Sequence, residues 1–304
     1  MQEQHFNGVW TALITPFLED ESIDWTSYDH LLSRQAEANV TGVVISGTTG
    51  ESPCLSEQEK LKLIEHARST LPDHIRIMAG TGSSSTRASI ELSKKAQEAG
   101  ADSLLVVTPP YNKPTPSGLY RHFSEIAAAT ELPICLYHVP GRTAQTLAPE
   151  TMKKLTDIPS IQAVKEASGD LALFGQFLEI SEDSLCYLTG DDPTFLASLA
   201  IGCEGVISVL SNLYPKAMKL LFDLSKTGHH TKALALNKAL TPLFHGMFIE
   251  SNPGPVKAAF ASKGLCQNIL RSPLAPMEEQ NQQSLLALIK DTEQKLAGLE
   301  VPRA

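Results

Sequence analysis

The sequence predicts an α/β fold: a (β/α)8 TIM barrel over residues 1–227, then a C-terminal three-helix appendage over residues 228–304. Three observations predict it. Short apolar runs rich in β-branched residues recur eight times in the first two thirds of the 304 residues. Helical periodicity fills the intervals between them, and beyond about residue 227 the strand signals stop. Strands that are apolar on both faces and alternate with helices form a parallel sheet covered by helices, and eight such units suffice to close it. An open doubly wound sheet is the alternative, but its glycine signature is missing. GTGSSS (80–85) lacks the third glycine and reads as a plain strand-to-helix loop.

In order, the strand runs are WTALIT (10–15), GVVISG (42–47), IRIMAG (75–80), SLLVVT (103–108), PICLYH (133–138), IQAVKEA (161–167), LCYLTG (185–190) and GVISVL (205–210). Each is bounded by Gly, Pro or polar turn residues and is too short for an amphipathic helix. Among the helices between them, SEQEKLKLIEHARSTL (56–71) opens on Ser56 and Glu59, the spacing of a capping box. TRASIELSKKAQEAG (86–100) ends on Gly100 as its C-terminal cap. The tail holds three helical patterns, at 232–250, 255–264 and 278–299, with SNPGP (251–255) breaking the first from the second.

Composition narrows the function. With 34 acidic against 25 basic residues the chain carries a net charge of −9, which disfavours nucleic-acid and anionic-membrane partners because both reward a basic surface. No run approaches the ~18 apolar residues of a membrane span. The opening MQEQHFNGVW lacks the basic and apolar regions of a secretion signal, so a cytoplasmic protein is expected. Five widely spaced cysteines without a CxxC pair read as reduced thiols, and without HExxH no catalytic metal is expected.

In a barrel of this kind the active site lies on the loops after the C-terminal ends of the strands. Lys165 is the sharpest candidate there, a lysine embedded in a strand-like apolar run, with Ala163 and Ala167 leaving room beside it. Burial favours the neutral amine that attacks a carbonyl, which suggests a Schiff-base lysine. The alternative is a snorkelling lysine or a pair with Glu166, although strand alternation puts Glu166 on the opposite face. Tyr137, at the end of the adjacent strand, suits proton relay to such an intermediate, or else is a core tyrosine with a satisfied hydroxyl. Arg142 follows a Pro-Gly turn at the rim and suits capture of a carboxylate, or a surface ion pair. Gly47-Thr48-Thr49-Gly50 offers backbone N–H groups and two hydroxyls to an anion; Glu51 reads as orienting that loop, and Asp191-Asp192 as starting a helix.

Five motifs occur together and in order: Gly47-Thr48-Thr49-Gly50-Glu51, Tyr111-Asn112-Lys113-Pro114, Tyr137-His138-Val139-Pro140-Gly141-Arg142-Thr143, Val164-Lys165-Glu166 and Gly205-Val206-Ile207-Ser208-Val209. With them the chain resembles the dihydrodipicolinate synthase / N-acetylneuraminate lyase family of class I pyruvate-dependent aldolases. The resemblance runs from about Gly8 through Asn252-Pro253-Gly254-Pro255-Val256-Lys257. It implies a lyase that condenses pyruvate with L-aspartate-4-semialdehyde to 4-hydroxy-tetrahydrodipicolinate, toward diaminopimelate and lysine. No cofactor is implied beyond the covalent imine that pyruvate forms with Lys165. Tyr137 would shuttle protons, and Thr49 would link it to Tyr111 reaching in from a neighbouring subunit. Thr48 and Thr49 would hold the pyruvate carboxylate, Arg142 that of the semialdehyde, and Gly190 and Ile207 would line the pocket. A homotetramer built as a dimer of dimers is implied as well.

The nearest rival is another aldolase of the family, cleaving N-acetylneuraminate or a 2-keto-3-deoxy sugar acid. Thr48 and Arg142 speak against it. A non-catalytic barrel would be free to lose the set Lys165, Tyr137, Tyr111 and Thr49. A barrel dependent on pyridoxal phosphate would need a phosphate loop after strands seven and eight, where none is apparent. Two departures from the family pattern stand out. His138 replaces the usual Asn and should face away from the reacting centre. Lys60, Ser84, Ala88 and Pro110 replace residues typical of lysine-inhibited members, and Lys60 would repel an incoming ammonium. Steady-state turnover is therefore expected to be insensitive to L-lysine, and half-inhibition at sub-millimolar L-lysine would contradict this.

Overall fold

The computed structural model describes residues 6–181 and 185–299. Residues 1–5, part of the segment read for a secretion signal, lie outside the described residues, as do 182–184 and the end of the expected appendage at 300–304. The eight strands are β1 (Gly8–Ala12), β2 (Gly42–Ile45), β3 (Arg76–Gly80), β4 (Ser103–Val107), β5 (Ile134–His138), β6 (Ile161–Glu166), β7 (Cys186–Thr189) and β8 (Gly205–Ser208). Each pairs in parallel with the next and β8 returns to β1, so the sheet is a closed barrel in sequence order. Closure is tight where β1 meets β8: a Cβ on Gly205 would lie 2.0 Å from the Gly8 carbonyl oxygen. Asn212 seals the same seam from above, with its Nδ2 donating to the Ala12 carbonyl at 2.7 Å and its Oδ1 accepting the Ile14 amide at 3.1 Å.

Alternation along the strands builds two cores. Inside the barrel, Trp10, Val44, Met78, Leu105, Tyr137, Leu188 and Ile207 pack together. Their neighbours Val9, Val43, Ile77, Leu104, Leu136, Val164, Tyr187 and Val206 face the helices in the larger outer cluster. The helices are α1 (Trp25–Glu37), α2 (Glu57–Thr70), α3 (Thr86–Glu98), α4 (Pro116–Ala127), the single turn α5 (Pro140–Thr143), α6 (Pro149–Thr156), α7 (Leu171–Ser181), α8 (Phe195–Ala200) and α9 (Pro215–Lys226). The capping box on α2 is present: Ser56 Oγ accepts the Glu59 amide and Glu59 Oε2 accepts the Ser56 amide at 2.8 Å. Gly100 follows α3 at φ +96°, a backbone setting open to glycine.

The tail is helical as expected, with α10 (His230–Gly246), α11 (Gly254–Ser262) and α12 (Glu279–Gly298). α10 packs on α9 and α12, and α11 packs on α12. The Pro140-Gly141-Arg142-Thr143 segment, read as a Pro-Gly turn, is a turn of helix. It coils into α5, because Pro140 is preset for a first helical position and the Ala144 amide closes the turn on the Pro140 carbonyl. Among the described residues, no helix is long and apolar enough to cross a membrane.

Candidate active site

Side-chain alternation in β6 turns Ala163 inward and Val164 outward, and it carries Lys165 to the inner side and Glu166 to the outer. The strand register sets Lys165 between Tyr137 on β5 and Leu188 on β7. Lys165 is 6% exposed, and its Nζ stands 4.2 Å from the centroid of the Tyr137 ring. Room for the long side chain comes from the next strand end. A Cβ on Gly190 would lie 2.5 Å from Lys165 Cε and 2.7 Å from Ala167 Cβ, so a larger residue there would displace the lysine. Ile207 belongs to the same inner cluster as Tyr137.

After β2 the chain makes a tight loop in which Ser46 and Glu51 both take positive φ, +57° and +56°. The amides of Gly50, Glu51 and Ser52 donate to carbonyls within the loop. Those of Thr48 and Thr49 are not committed in this way, so they form the part of the loop able to meet an anion. A cavity of about 410 Å³ opens at this end of the barrel, lined by Thr48, Tyr137, Arg142, Lys60, Ser84 and Pro110 among others, with two cations and no carboxylate in its wall. Burial pulls the Lys60 ammonium below its ordinary range. Thr49 lies behind Thr48, buried, its hydroxyl oxygen accepting from Asn252 Nδ2 at 2.9 Å. Arg142 reaches the same residue from the other side, donating to the Asn252 carbonyl at 3.4 Å.

Tyr111 stands apart from this group. It is 92% exposed, at φ +69° in a turn held by Asn112 Nδ2 donating to the Ser84 carbonyl at 2.6 Å. It does not line the cavity of its own chain. A larger cavity, about 810 Å³, lies between Arg34 and α12 and contains none of these candidates. Among the described residues, no three His, Cys, Asp or Glu side chains gather to hold a metal ion.

A lysine buried within a barrel against a phenol ring, at the end where a loop leaves two amides uncommitted, matches a known group. The sequence profile of the Dihydrodipicolinate synthetase family matches residues 5–292. The chain belongs to that family. The 4-hydroxy-tetrahydrodipicolinate synthase of Bacillus velezensis is 41% identical over 284 residues, covering 93% of this chain and 98% of the relative. The solved structure of the corresponding synthase from Methylacidiphilum fumariolicum SolV superposes with a TM-score of 0.95 at 42% identity, covering 97% of this chain and 98% of that one. The chloride-inhibited dihydrodipicolinate synthase of Acinetobacter baumannii, solved with pyruvate, superposes at 0.92 with 39% identity, covering 94% and 99%.

Two members of the family motifs have structural roles here. His138 is fully buried on the outer side of β5, its ring 5.8 Å from that of Phe177 on α7. Its Nε2 accepts the Leu147 amide at 3.1 Å, so the ring proton sits on Nδ1 and is donated to Glu166 at 3.1 Å. It faces away from Lys165, as expected. Glu51 is buried in an ion pair with Lys257 of α11, and its Oε2 accepts the Arg271 amide at 3.0 Å. Lys257 Nζ also donates to the Ile269 carbonyl at 2.7 Å and lies 4.1 Å from the centroid of the Phe17 ring. Burial lowers the Lys257 ammonium and the Glu51 charge opposes the shift. Arg271 extends the anchor to α2, holding the Glu59 carboxyl down to about 2.

Sequence reasoning assigned no role to Asn252, Lys257 or Arg271. Lys257 carried the same signal as Lys165, a lone lysine in an apolar run, but in a helical segment rather than a strand. Breaking a buried pair leaves one charge uncompensated. Glu51→Gln or Lys257→Met alone should therefore lower unfolding stability by about 3–5 kcal/mol in urea titrations. The double variant should recover most of the loss, and single variants within about 1 kcal/mol of wild type would contradict a structural pair.

Proposed function

We propose that this protein condenses pyruvate with L-aspartate-4-semialdehyde to give 4-hydroxy-tetrahydrodipicolinate, through an imine on Lys165. The observation that carries the reading is Lys165 buried inside the barrel against Tyr137, which itself lines a cavity whose wall holds two cations and no carboxylate. The family membership and the named relatives favour this reaction over cleavage of a sugar acid.

The Lys165 amine adds to C2 of pyruvate, and loss of water leaves the imine. The pyruvate carboxylate lies on the amides of Thr48 and Thr49. Tyr137 moves the protons of the carbinolamine and then of C3, turning the imine into an enamine. C3 of the enamine attacks the aldehyde carbon, and the new alkoxide takes a proton. The amino group of the semialdehyde then attacks C2 and displaces Lys165, so the ring closes and the free amine returns. Arg142, at the rim, takes the carboxylate of the semialdehyde. No resident cofactor enters, since the imine itself is the electron sink.

We assign the two threonines differently from the sequence reading, in which Thr49 links Tyr137 to Tyr111. Thr48 lines the cavity with Tyr137, so it is the hydroxyl assigned to the relay with a tyrosine; Thr49 is assigned to carboxylate recognition. The second tyrosine of the relay is Tyr111, supplied to a neighbouring subunit of a homotetramer. Its exposure on a braced turn supports that role. Gly190 and Ile207 shape the pyruvate pocket, the first by leaving space for Lys165. Lys60 in the cavity wall supports insensitivity to lysine, since it presents a cation to a cationic effector.

The test is turnover of the semialdehyde with pyruvate, with N-acetylneuraminate and 2-keto-3-deoxygluconate assayed alongside. Wild type should use the semialdehyde alone. Lys165→Ala should fall to background, Tyr137→Phe should lose about 10²–10⁴-fold in kcat, and Arg142→Ala should raise KM for the semialdehyde more than that for pyruvate. Cleavage of either sugar acid, with no turnover of the semialdehyde, would overturn the assignment.

A further inference from the structure

Asn252 touches both carboxylate-recognising elements of the site, from a segment outside the barrel. Its side-chain amide donates to Thr49 Oγ1 at 2.9 Å, and its main-chain carbonyl accepts from the Arg142 guanidinium at 3.4 Å. It is 5% exposed and lies two residues before α11, whose Lys257 pairs with Glu51 two residues beyond Thr49. Its position relative to the loop is therefore set at both ends of a short path: by its own amide and by the buried ion pair.

A threonine hydroxyl has one proton to give and two lone pairs to receive. When Asn252 Nδ2 donates to Thr49 Oγ1, one lone pair is occupied by a group that has no need of the proton. The proton is then free to be presented elsewhere, and a negatively charged oxygen is its strongest acceptor. We propose that Asn252 is a positioning residue for carboxylate recognition: its amide fixes Thr49 as a hydrogen-bond donor toward the pyruvate carboxylate, while its carbonyl holds Arg142 at the rim. The C-terminal helical segment thus sets the hydrogen-bond direction inside the barrel's site. This rests on the reading that pyruvate is the substrate bound at Lys165.

Asn252→Asp tests the direction with almost no change of shape. A carboxylate at that position accepts the Thr49 proton instead of donating to the hydroxyl, and so turns the lone pairs of Thr49 toward the substrate. The readout is the pyruvate concentration that half-saturates borohydride-trapped adduct on Lys165, followed by mass spectrometry of the intact protein. It does not depend on the second substrate. Wild type should trap pyruvate; a wild type that traps none would refute the pyruvate reading itself. Asn252→Asp should need at least about tenfold more pyruvate yet reach the same adduct at saturation, a shift of about 1.4 kcal/mol. In a Thr49→Val background the same substitution should produce a clearly smaller shift, because the hydroxyl it reverses is gone and only the repulsion of the added charge remains.

An unchanged half-saturation in Asn252→Asp, or an equal shift with and without the Thr49 hydroxyl, would overturn the proposal, the second result marking a general structural role. If the aspartate variant does not melt cooperatively, Asn252→Ala takes its place. It should raise half-saturation several-fold in the Thr49 background alone, and an equal rise in both backgrounds would overturn the proposal.

Discussion

A lysine can lie inside a closed eight-stranded barrel only where the surrounding strands give up volume for it. Here Gly190 supplies that volume at the end of β7, Ala163 keeps the layer below small, and the Tyr137 ring packs against Nζ. Everything else in the site is arranged about this one buried amine. The strand register fixes which neighbours it has, and the inward half of the alternation fixes that those neighbours are Tyr137 and Leu188. The same alternation sends Glu166 outward to His138, so the lysine is left without a carboxylate partner on its own strand. A Lys165–Glu166 ion pair would have tied up the amine; the pleat prevents it.

The barrel does not complete its site unaided. Its β2 loop holds two residues at positive φ, a conformation that costs energy and needs support from outside. That support comes from the chain after the barrel: Lys257 neutralises Glu51, the Arg271 amide takes its second oxygen, and Asn252 meets Thr49. The helices beyond residue 228 are thus part of how the loop is held, as well as a cover for apolar surface. This accounts for a charged pair placed where burial alone would disfavour both ions.

The fold was legible because its signals are local. Eight apolar runs, helical periodicity between them, a capping box at Ser56 and a glycine stop at Gly100 each report on a few adjacent residues. Lys165 was legible for the same reason, as a charge out of place in an apolar strand. Helical coiling of Pro140–Thr143 was missed, since four residues hold too little periodicity to show it. The clamp on the β2 loop was hidden for a different reason. Glu51 and Lys257 are 206 positions apart in the chain, and no pattern within either segment names the other. Which of Thr48 and Thr49 lines the cavity was also beyond reach, because adjacent identical residues differ only in which of them the folded loop turns toward it.

The central claim is that Lys165 carries the covalent chemistry, and the most direct measurement is a crystal structure of the protein soaked with pyruvate. The account predicts continuous density from Lys165 Nζ to C2 of pyruvate, with the carboxylate on the amides of Thr48 and Thr49 and the Tyr137 hydroxyl turned toward the adduct. An unmodified Lys165 at saturating pyruvate, or an adduct on any other lysine, would contradict it.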